Sequence, residues 1–282
     1  MLPGTMPNIG AAGAASGNQN LYEVLQSLGL TTNLEMCVDF GVSDCYPGSG
    51  QTVSDLSGNG EDFWRGRYST SESADPIFNG TAGDLSDGEY FEWDRTSSPW
   101  QCLELKSGTP AWVDNLHKNN AAWTALAWVY PHSSASGSRC VMGVGLAGDS
   151  THRGVMFRMD PSNFLRLTVA RGTSGSWAKT ETSTLAITEN AWQLVAISLD
   201  EAAGASGSFF QINDDAEDTF NGSYSSPSSS GASHALQLGA DDQEYAMDNG
   251  DRMAAAAILS TALTSANIDA IFNATKGRFG VT

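Results

Sequence analysis

Basic residues are scarce in this sequence of 282 residues: 14 lysines and arginines stand against 32 aspartates and glutamates, for a formal net charge of −18. Nucleic-acid binders need a basic surface, because they displace the counterions of the phosphate backbone. The charge therefore argues against DNA, RNA and anionic membranes as partners. Long apolar runs are also missing, and no window approaches the roughly 20 residues that cross a bilayer. We expect no membrane insertion.

Cysteine motifs are missing as well. The sequence has no Cys-x-x-Cys pair, which argues against a structural zinc site and against a thioredoxin-like redox site. The four cysteines, Cys37, Cys45, Cys102 and Cys140, are scattered. We expect buried free thiols in a reducing compartment, and a disulfide between Cys37 and Cys45 is the alternative.

The first 19 residues form a Gly/Ala-rich arm without the basic region and the continuous apolar run of a secretory signal. The sequence therefore predicts a protein that is made in the cytoplasm and either stays there or is released by lysis. Asn20 is the predicted cap of a short helix that ends at Gly29. One face of this helix carries Leu21, Val24, Leu25 and Leu28. The sequence leaves two interpretations of this helix. Either it packs on its own domain, or the arm and the helix together (1–33) attach the protein to a partner.

From Leu34 onward the apolar residues recur with period two, which is typical of strands. Clusters of Gly, Ser, Asn and Asp separate the predicted strands, and no helices lie between them, so an antiparallel sandwich is favoured over a parallel sheet. Near the end, Thr264 is the predicted cap of a helix over 265–275 that stops at Gly277. The clearest predicted strands are 123–130, 139–146, 153–159, 163–170, 191–199, 207–213 and 252–259.

Several strand motifs occur in an order that resembles the concanavalin A-like lectin/glucanase family, and in particular its laminin-G-like members. They are 52–60 (TVSDLSGNG), 123–131 (WTALAWVYP), 190–200 (NAWQLVAISLD), 208–213 (SFFQIN), 236–239 (LQLG) and 252–272 (RMAAAAILSTALTSANIDAIF). The resemblance implies an all-β fold, a jelly-roll sandwich of two antiparallel sheets over 34–282. An N-terminal arm with a short helix precedes this sandwich, and a short C-terminal helix closes it.

The Gly/Ala arm is followed in the front half of the chain by 30–41 (LTTNLEMCVDFG), 55–66 (DLSGNGEDFWRG), 75–80 (DPIFNG) and 89–94 (EYFEWD). Together these segments are similar to laminin-G-like proteins encoded among the structural genes of tailed phages and prophages. That resemblance implies a non-catalytic virion accessory protein, either a capsid decoration protein or a tail or fibre component. Its partners would be other virion proteins, bound through the N-terminal arm, and host surface glycans, bound by the lectin-like domain. A glycan-cleaving hydrolase and a free calcium-dependent lectin are the alternatives.

Hydrolases of this fold carry Glu-x-Asp-x(x)-Glu on one strand, because a retaining mechanism needs two carboxylates about 5–5.5 Å apart. The nearest match is EYFEWD at 89–94, where Glu92 and Asp94 share a face but the third acid is missing. The sequence therefore predicts that the protein is not an enzyme.

Calcium is the cofactor that the resemblance makes plausible, because hard cations bind six to eight oxygen atoms. The loop before the last strand supplies the candidate ligands Asp241, Asp242, Asp248 and Asp251. The alternative is an acidic loop that is simply solvated. A sugar site would instead need an exposed aromatic ring beside hydrogen-bonding groups. Trp177 is the first candidate for such a ring, followed by Trp93 and Trp64, and ordinary packing is the alternative for each.

Overall fold

The computed structural model describes residues 19–94, 100–133, 137–144, 151–173, 176–241 and 245–282. Within these ranges the strands are β1 (Leu34–Asp39), β2 (Thr52–Val53), β3 (Phe63–Arg65), β4 (Ile77–Asn79), β5 (Tyr90–Glu92), β6 (Leu103–Leu105), β7 (Ala122–Tyr130), β8 (Arg139–Val144), β9 (Arg153–Met159), β10 (Phe164–Thr173), β11 (Ser176–Ala186), β12 (Gln193–Asp200), β13 (Ser208–Ile212), β14 (Asp218–Phe220), β15 (Leu236–Leu238) and β16 (Arg252–Leu259). The helices are α1 (Leu21–Ser27), α2 (Ala111–Asn115) and α3 (Ser265–Thr275), with short 3₁₀ turns at Gly204–Ser206 and Lys276–Phe279.

Two antiparallel sheets form the molecule. The first has the order β14-β13-β12-β7-β16-β5-β4, and β1 also pairs with β16. The second has the order β11-β10-β9-β8-β15-β6-β3-β2. Neighbouring strands are often distant in sequence, as β7 and β16 are, which is the connectivity of a jelly roll. The predicted all-β sandwich of two antiparallel sheets is confirmed.

The main core lies between the two sheets and follows from the two-residue alternation of the strands. On β9 and β10, Val155, Phe157, Leu165, Leu167 and Val169 are fully buried in this core. Successive side chains of a strand point to opposite faces. The intervening residues of β9 and β10 therefore project from the outer surface of the second sheet, which we call the open face.

A second apolar layer covers the outer surface of the first sheet, which we call the helix-covered face. Trp128 of β7 lies at its centre, with its ring stacked on Phe279 at 4.1 Å and on Phe272 at 5.9 Å between centroids. The Trp128 indole N–H donates to Thr275 Oγ1 at 3.0 Å. The helical residues buried in this layer include Leu21, Val24, Leu25, Ile268, Ile271 and Phe272. Both α1 and α3 are therefore part of the sandwich domain.

Helix α1 is fixed at its first turn. The Asn20 side chain accepts a hydrogen bond from Glu23 N at 2.9 Å, and the Glu23 carboxylate accepts one from Asn20 N, as the predicted cap requires. Leu21 N donates to Asp39 Oδ2 at 2.9 Å, and Asp39 also forms a buried ion pair with Arg278. The helix thus packs on its own domain. An attachment role is left to the arm, whose residues 1–18 lie outside the described residues.

Helix α3 begins at the predicted Thr264 cap and ends at Thr275 with Lys276 as its C-cap, directly before Gly277, as predicted. The chain continues through the 3₁₀ turn Lys276–Phe279, and the left-handed residue is Gly280, with φ of 65°. Tertiary contacts cause this extension, because Arg278 reaches Asp39 and Phe279 stacks on Trp128. Within the described ranges, no helix is long and apolar enough to cross a membrane.

The four cysteines are buried free thiols, as predicted, and Cys37 and Cys45 are not joined. Burial raises the pKa of each thiol, because a thiolate is poorly solvated in the core. Reactive or metal-binding cysteines need the thiolate. These four therefore act as small apolar side chains.

Candidate functional site

The open face of the second sheet carries a small cavity of about 220 Å³, which we call the arginine pocket. Strand alternation on β9 and β10 turns their polar residues outward into it, and β11 supplies one wall. An aromatic ring from the loop after β15 closes one side. The pocket is lined by Met156, Arg158, Arg166, Thr168, Trp177, Thr180 and Tyr245.

The two arginines of the pocket are direct cross-strand partners, Arg158 on β9 and Arg166 on β10. The Arg158 guanidinium lies over the Tyr245 ring, 4.4 Å from its centroid, and the side chain of Arg158 is largely buried. Among the residues that the structure describes, neither guanidinium has a carboxylate within ion-pair distance. Two like charges therefore lie side by side without a described neutralising partner.

Three donors of the pocket are buried and lack a hydrogen-bond partner among the described residues: the Nε atoms of Arg158 and Arg166 and the hydroxyl of Thr168. Buried polar groups in proteins are almost always hydrogen-bonded, because the loss of water is otherwise uncompensated. These donors can therefore bind an acceptor that enters the pocket.

Trp177 forms an aromatic wall of the arginine pocket and is half-buried, packing against a small cluster that includes Met156 and Ala170. Trp64 lies on the same sheet at the other side of the open face, where it pairs with Glu104 of β6. The Lys106 ammonium covers one side of the Trp64 ring at 4.1 Å from its centroid. Of the two indoles, Trp177 is therefore the one beside unpaired hydrogen-bond donors.

The expectation of an exposed ring at Trp93 is wrong. Its side chain is 1% exposed, and its indole N–H donates to the backbone carbonyl of Gln101 at 3.1 Å. Gly239 lies directly against the indole, where a Cβ would come within 2.3 Å of the ring. The ring fills the core between the sheets. Trp93 directly follows the short strand β5, and nothing in the local sequence predicts that its ring is buried.

Asp251, one of the predicted calcium ligands, is fully buried and bonded inside the protein. Its Oδ1 accepts from His132 N at 2.7 Å, its Oδ2 accepts from Asp248 N at 2.8 Å, and Arg139 Nη1 lies 3.5 Å away. Burial raises the pKa of the Asp251 carboxyl to about 6, against the opposing effect of Arg139 and the two backbone donors. This carboxyl joins the starts of β8 and β16 and does not face a cation site.

The remaining acids of that loop also bind backbone groups. Asp241 Oδ1 accepts from Tyr245 N at 2.7 Å, and Asp248 Oδ1 accepts from Asn249 N at 2.8 Å. Asp242 lies outside the described residues. In the described part of the chain, no group of three or more His, Cys, Asp or Glu side chains is arranged to hold a metal ion. The structure therefore does not bring Asp241, Asp248 and Asp251 together as a calcium site.

The EYFEWD motif is remote from the open face. Glu92 belongs to β5 in the first sheet, where it shares the helix-covered face with Tyr90 and forms an ion pair with Arg252 at 3.3 Å. Glu89 is buried and accepts a hydrogen bond from Ser86 N at 2.8 Å. Glu92 is thus neutralised by Arg252 at a strand edge, and Glu89 fixes the loop before β5.

A larger cavity of about 720 Å³, which we call the end cavity, lies at one end of the sandwich beside α2. Its lining includes Trp112, Asn115, Lys118, Asn119 and Asn120, above apolar residues at the ends of β7 and β16. Sequence reasoning missed this cavity, although the polar run HKNN at 117–120 marks it. The Trp112 indole N–H is already bound to Glu61 Oε1 at 3.1 Å.

The family model of the concanavalin A-like lectin/glucanases superfamily matches residues 106–269, more than half of the chain. The chain therefore belongs to this superfamily, and within it the matching model is of the laminin-G type. No curated protein matches the sequence significantly.

Solved structures are similar in fold. One is the binding domain of botulinum neurotoxin DC in complex with SialylT, with a TM-score of 0.59, 12% identity, and coverage of 87% of this chain and 52% of that one. A botulinum neurotoxin type C structure, described as dependent on two ganglioside molecules for cell entry, has a TM-score of 0.59, 12% identity, and coverage of 88% and 53%. A Trypanosoma rangeli sialidase has a TM-score of 0.50 and 10% identity, with coverage of 87% and 33%. This chain thus spans about half the length of the neurotoxin chains, and at such identities the likeness concerns the fold alone.

Proposed function

We propose that this protein is a non-catalytic glycan-binding module that serves as an accessory protein of a virion, either as a capsid decoration or as a tail or fibre component. The observation that carries the glycan-binding part is the arginine pocket on the open face. The other outer surface, the helix-covered face, is occupied by α1 and α3. The open face is thus the broad surface of the sandwich to which a sugar has access.

The chemistry of the pocket suits a saccharide. Sugars are bound by an aromatic ring beside a few well-placed hydrogen-bond donors. Trp177 supplies the ring, and Arg158, Arg166 and Thr168 supply donors. The volume of about 220 Å³ is below the roughly 300–1,000 Å³ of pockets for drug-sized ligands. We therefore expect the pocket to hold one or two sugar units of a larger chain.

Absence of catalysis is part of the proposal, because glycoside hydrolysis needs two carboxylates that flank the bond. On the open face, Glu104 Oε2 accepts a hydrogen bond from Gln237 Nε2 at 2.7 Å. Gln237 belongs to β15, which lies between the strand of Glu104 and that of Gly143, against which Asp241 packs. The Gln237 amide therefore lies between the carboxylates of Glu104 and Asp241, so these two acids are not arranged as an adjacent pair.

Binding of the full chain to an array of immobilised glycans tests the module. Trp177→Ala is expected to weaken binding about tenfold, the effect of losing roughly 1.4 kcal/mol of stacking. The matched control is Trp112→Ala in the end cavity, which leaves binding unchanged if the open face is the site. A wild-type chain that binds no glycan contradicts the proposal. Release of reducing ends would favour the hydrolase, and loss of binding in EDTA would favour the calcium-dependent lectin.

The virion role is supported by the sequence resemblance to phage structural proteins and by the arm. Deletion of residues 1–18 tests it, since the Asn20 cap and the buried face of α1 remain in place. The truncated chain is expected to fold and bind glycan but to be lost from purified particles. Full occupancy of the truncated chain on particles would show that the arm is not the attachment device.

A further inference from the structure

We propose that the arginine pocket is selective for an acidic saccharide, whose carboxylate or sulfate group binds between Arg158 and Arg166. The inference rests on the proposed function, because it assigns a ligand class to the same face. It concerns what the pocket prefers, and it can fail while glycan binding itself stands.

The first argument is the treatment of buried arginines elsewhere in the protein. Arg278 lies 2.7 Å from Asp39, and Arg139 lies 3.5 Å from Asp251. The chain has more than twice as many acids as bases, 32 against 14. Acids are thus abundant in this chain. A shortage of them does not explain why Arg158 and Arg166 have no carboxylate partner among the described residues.

The second argument is the position of the two charges. Arg158 and Arg166 are opposite each other on neighbouring antiparallel strands, an arrangement in which like charges repel. Arg158 is 7% exposed and Thr168 is 3% exposed, so water screens this repulsion poorly. An anion between the two guanidinium groups would neutralise both.

The third argument is the set of unused donors. The Nε atoms of Arg158 and Arg166 and the Thr168 hydroxyl are buried, and no described residue accepts from them. A guanidinium offers parallel N–H donors that match the paired oxygens of a carboxylate or a sulfate. The Tyr245 ring under Arg158 orients its guanidinium before any ligand arrives.

The fourth argument is the position of the aromatic wall. Trp177 pairs with Ala170, and Thr180 with Thr168, on the same outer surface as Arg166. A sugar ring stacked on Trp177 would place a ring substituent over β10, where Arg166 lies beside Arg158 of β9. Asp241 on the adjoining loop accepts a hydrogen bond from Tyr245 N. The proposed anion site and the aromatic ring for a sugar therefore belong to one pocket. A free inorganic anion would need only the arginines, whereas an acidic saccharide would use both.

The test uses an array with matched sets of one oligosaccharide backbone: neutral, carboxylated and sulfated. The wild-type chain is expected to bind the acidic members at least tenfold more tightly than the neutral one, with a preference that decreases as salt concentration rises. Arg158→Gln and Arg166→Gln are expected to remove the preference, so that the acidic and neutral members of a set bind each variant with affinities within about twofold of each other. Arg166→Lys, which keeps the charge but not the paired donors, should retain only part of it.

The matched control is Arg171→Gln, which removes the same charge from the same strand outside the pocket. It is expected to change acidic binding less than twofold. Equal binding of neutral and acidic glycans, or a preference that survives in both pocket variants, overturns this inference and leaves the glycan-binding module intact. Absence of binding to every glycan overturns the proposed function itself. Binding of acetate or sulfate ions with no gain from the attached sugar also contradicts the inference.

Discussion

The two outer surfaces of the sandwich differ in whether their arginines have a carboxylate partner among the described residues. At the edge of the helix-covered face, Arg278 Nη1 donates to both carboxylate oxygens of Asp39, at 2.7 and 2.8 Å. On the open face, Arg158 and Arg166 have no described carboxylate partner. The first arrangement fastens one part of the chain to another. The second places two guanidinium groups side by side without a described acid, and the proposed anion site rests on this contrast.

The largest loss of stability is expected when the ion pair between Asp39 and Arg278 is broken. Asp39→Ala leaves Arg278 as a buried unpaired charge and removes the acceptor of Leu21 N and Gly41 N. Breaking one partner of a buried ion pair costs about 3–5 kcal/mol. Urea unfolding should show this loss, and Asp44→Ala, at an exposed acid nearby, should change the free energy of unfolding by less than about 0.5 kcal/mol. A small loss for Asp39→Ala would mean that the pair does not fasten the fold.

Helix α1 offers a matched pair of leucines. Leu25 is fully buried against the first sheet, whereas Leu28 is 37% exposed. Leu25→Ala should lower the free energy of unfolding by about 2–4 kcal/mol, because it opens a cavity. Leu28→Ala should lower it by less than about 0.5 kcal/mol. Equal effects in thermal or urea unfolding would show that α1 is not packed on the sandwich and would restore it as an attachment segment.

Asp251 gives a pH dependence with a defined sign. The pKa of the Asp251 carboxyl is about 6 in the folded protein, against an ordinary value of 3.8. Between about pH 4 and pH 6 this carboxyl is therefore protonated in the folded state and ionised in the unfolded chain. The contribution of this group is therefore present below pH 4 and is lost as pH rises through 6, by up to about 3 kcal/mol. The free-energy difference between wild type and Asp251→Asn, measured from pH 4 to pH 7, should fall accordingly. A flat difference would contradict the raised pKa.

The smallest effect is expected at the arginine pocket without ligand. Arg166→Gln removes one of two adjacent like charges, so it should change the free energy of unfolding by at most about 1 kcal/mol, towards stability. Arg171→Gln is the reference for the loss of one charge on β10. A loss of about 3 kcal/mol or more in Arg166→Gln would assign the pocket arginines to folding and end the contrast between the two surfaces.

Much of the fold was predictable because alternation and capping are local. The ranges of β9, β16 and α3 agree with the predicted ones, and the Asn20 and Thr264 caps are formed as expected. The site was less predictable. Trp177 does line a pocket, but nothing near Trp93 in the sequence shows that Gly239 packs against its ring.

The pairing of arginines had no local signal at all. Arg278 and Asp39 are 239 positions apart, and the cross-strand contact of Arg158 with Arg166 depends on the turn between β9 and β10. The acids of the loop before β16 looked like cation ligands because they are close in sequence. In the structure, those that are described bind backbone groups instead.

By itself, the sequence determined which residues form strands and helices and which side of each strand is apolar, since these properties depend on neighbours a few positions away. Tertiary structure alone decided which sheet surface the helices cover, whether Trp93 is buried, and which arginines have no carboxylate partner among the described residues. The physical reason is that burial and charge pairing depend on contacts between residues that only the folded chain brings together.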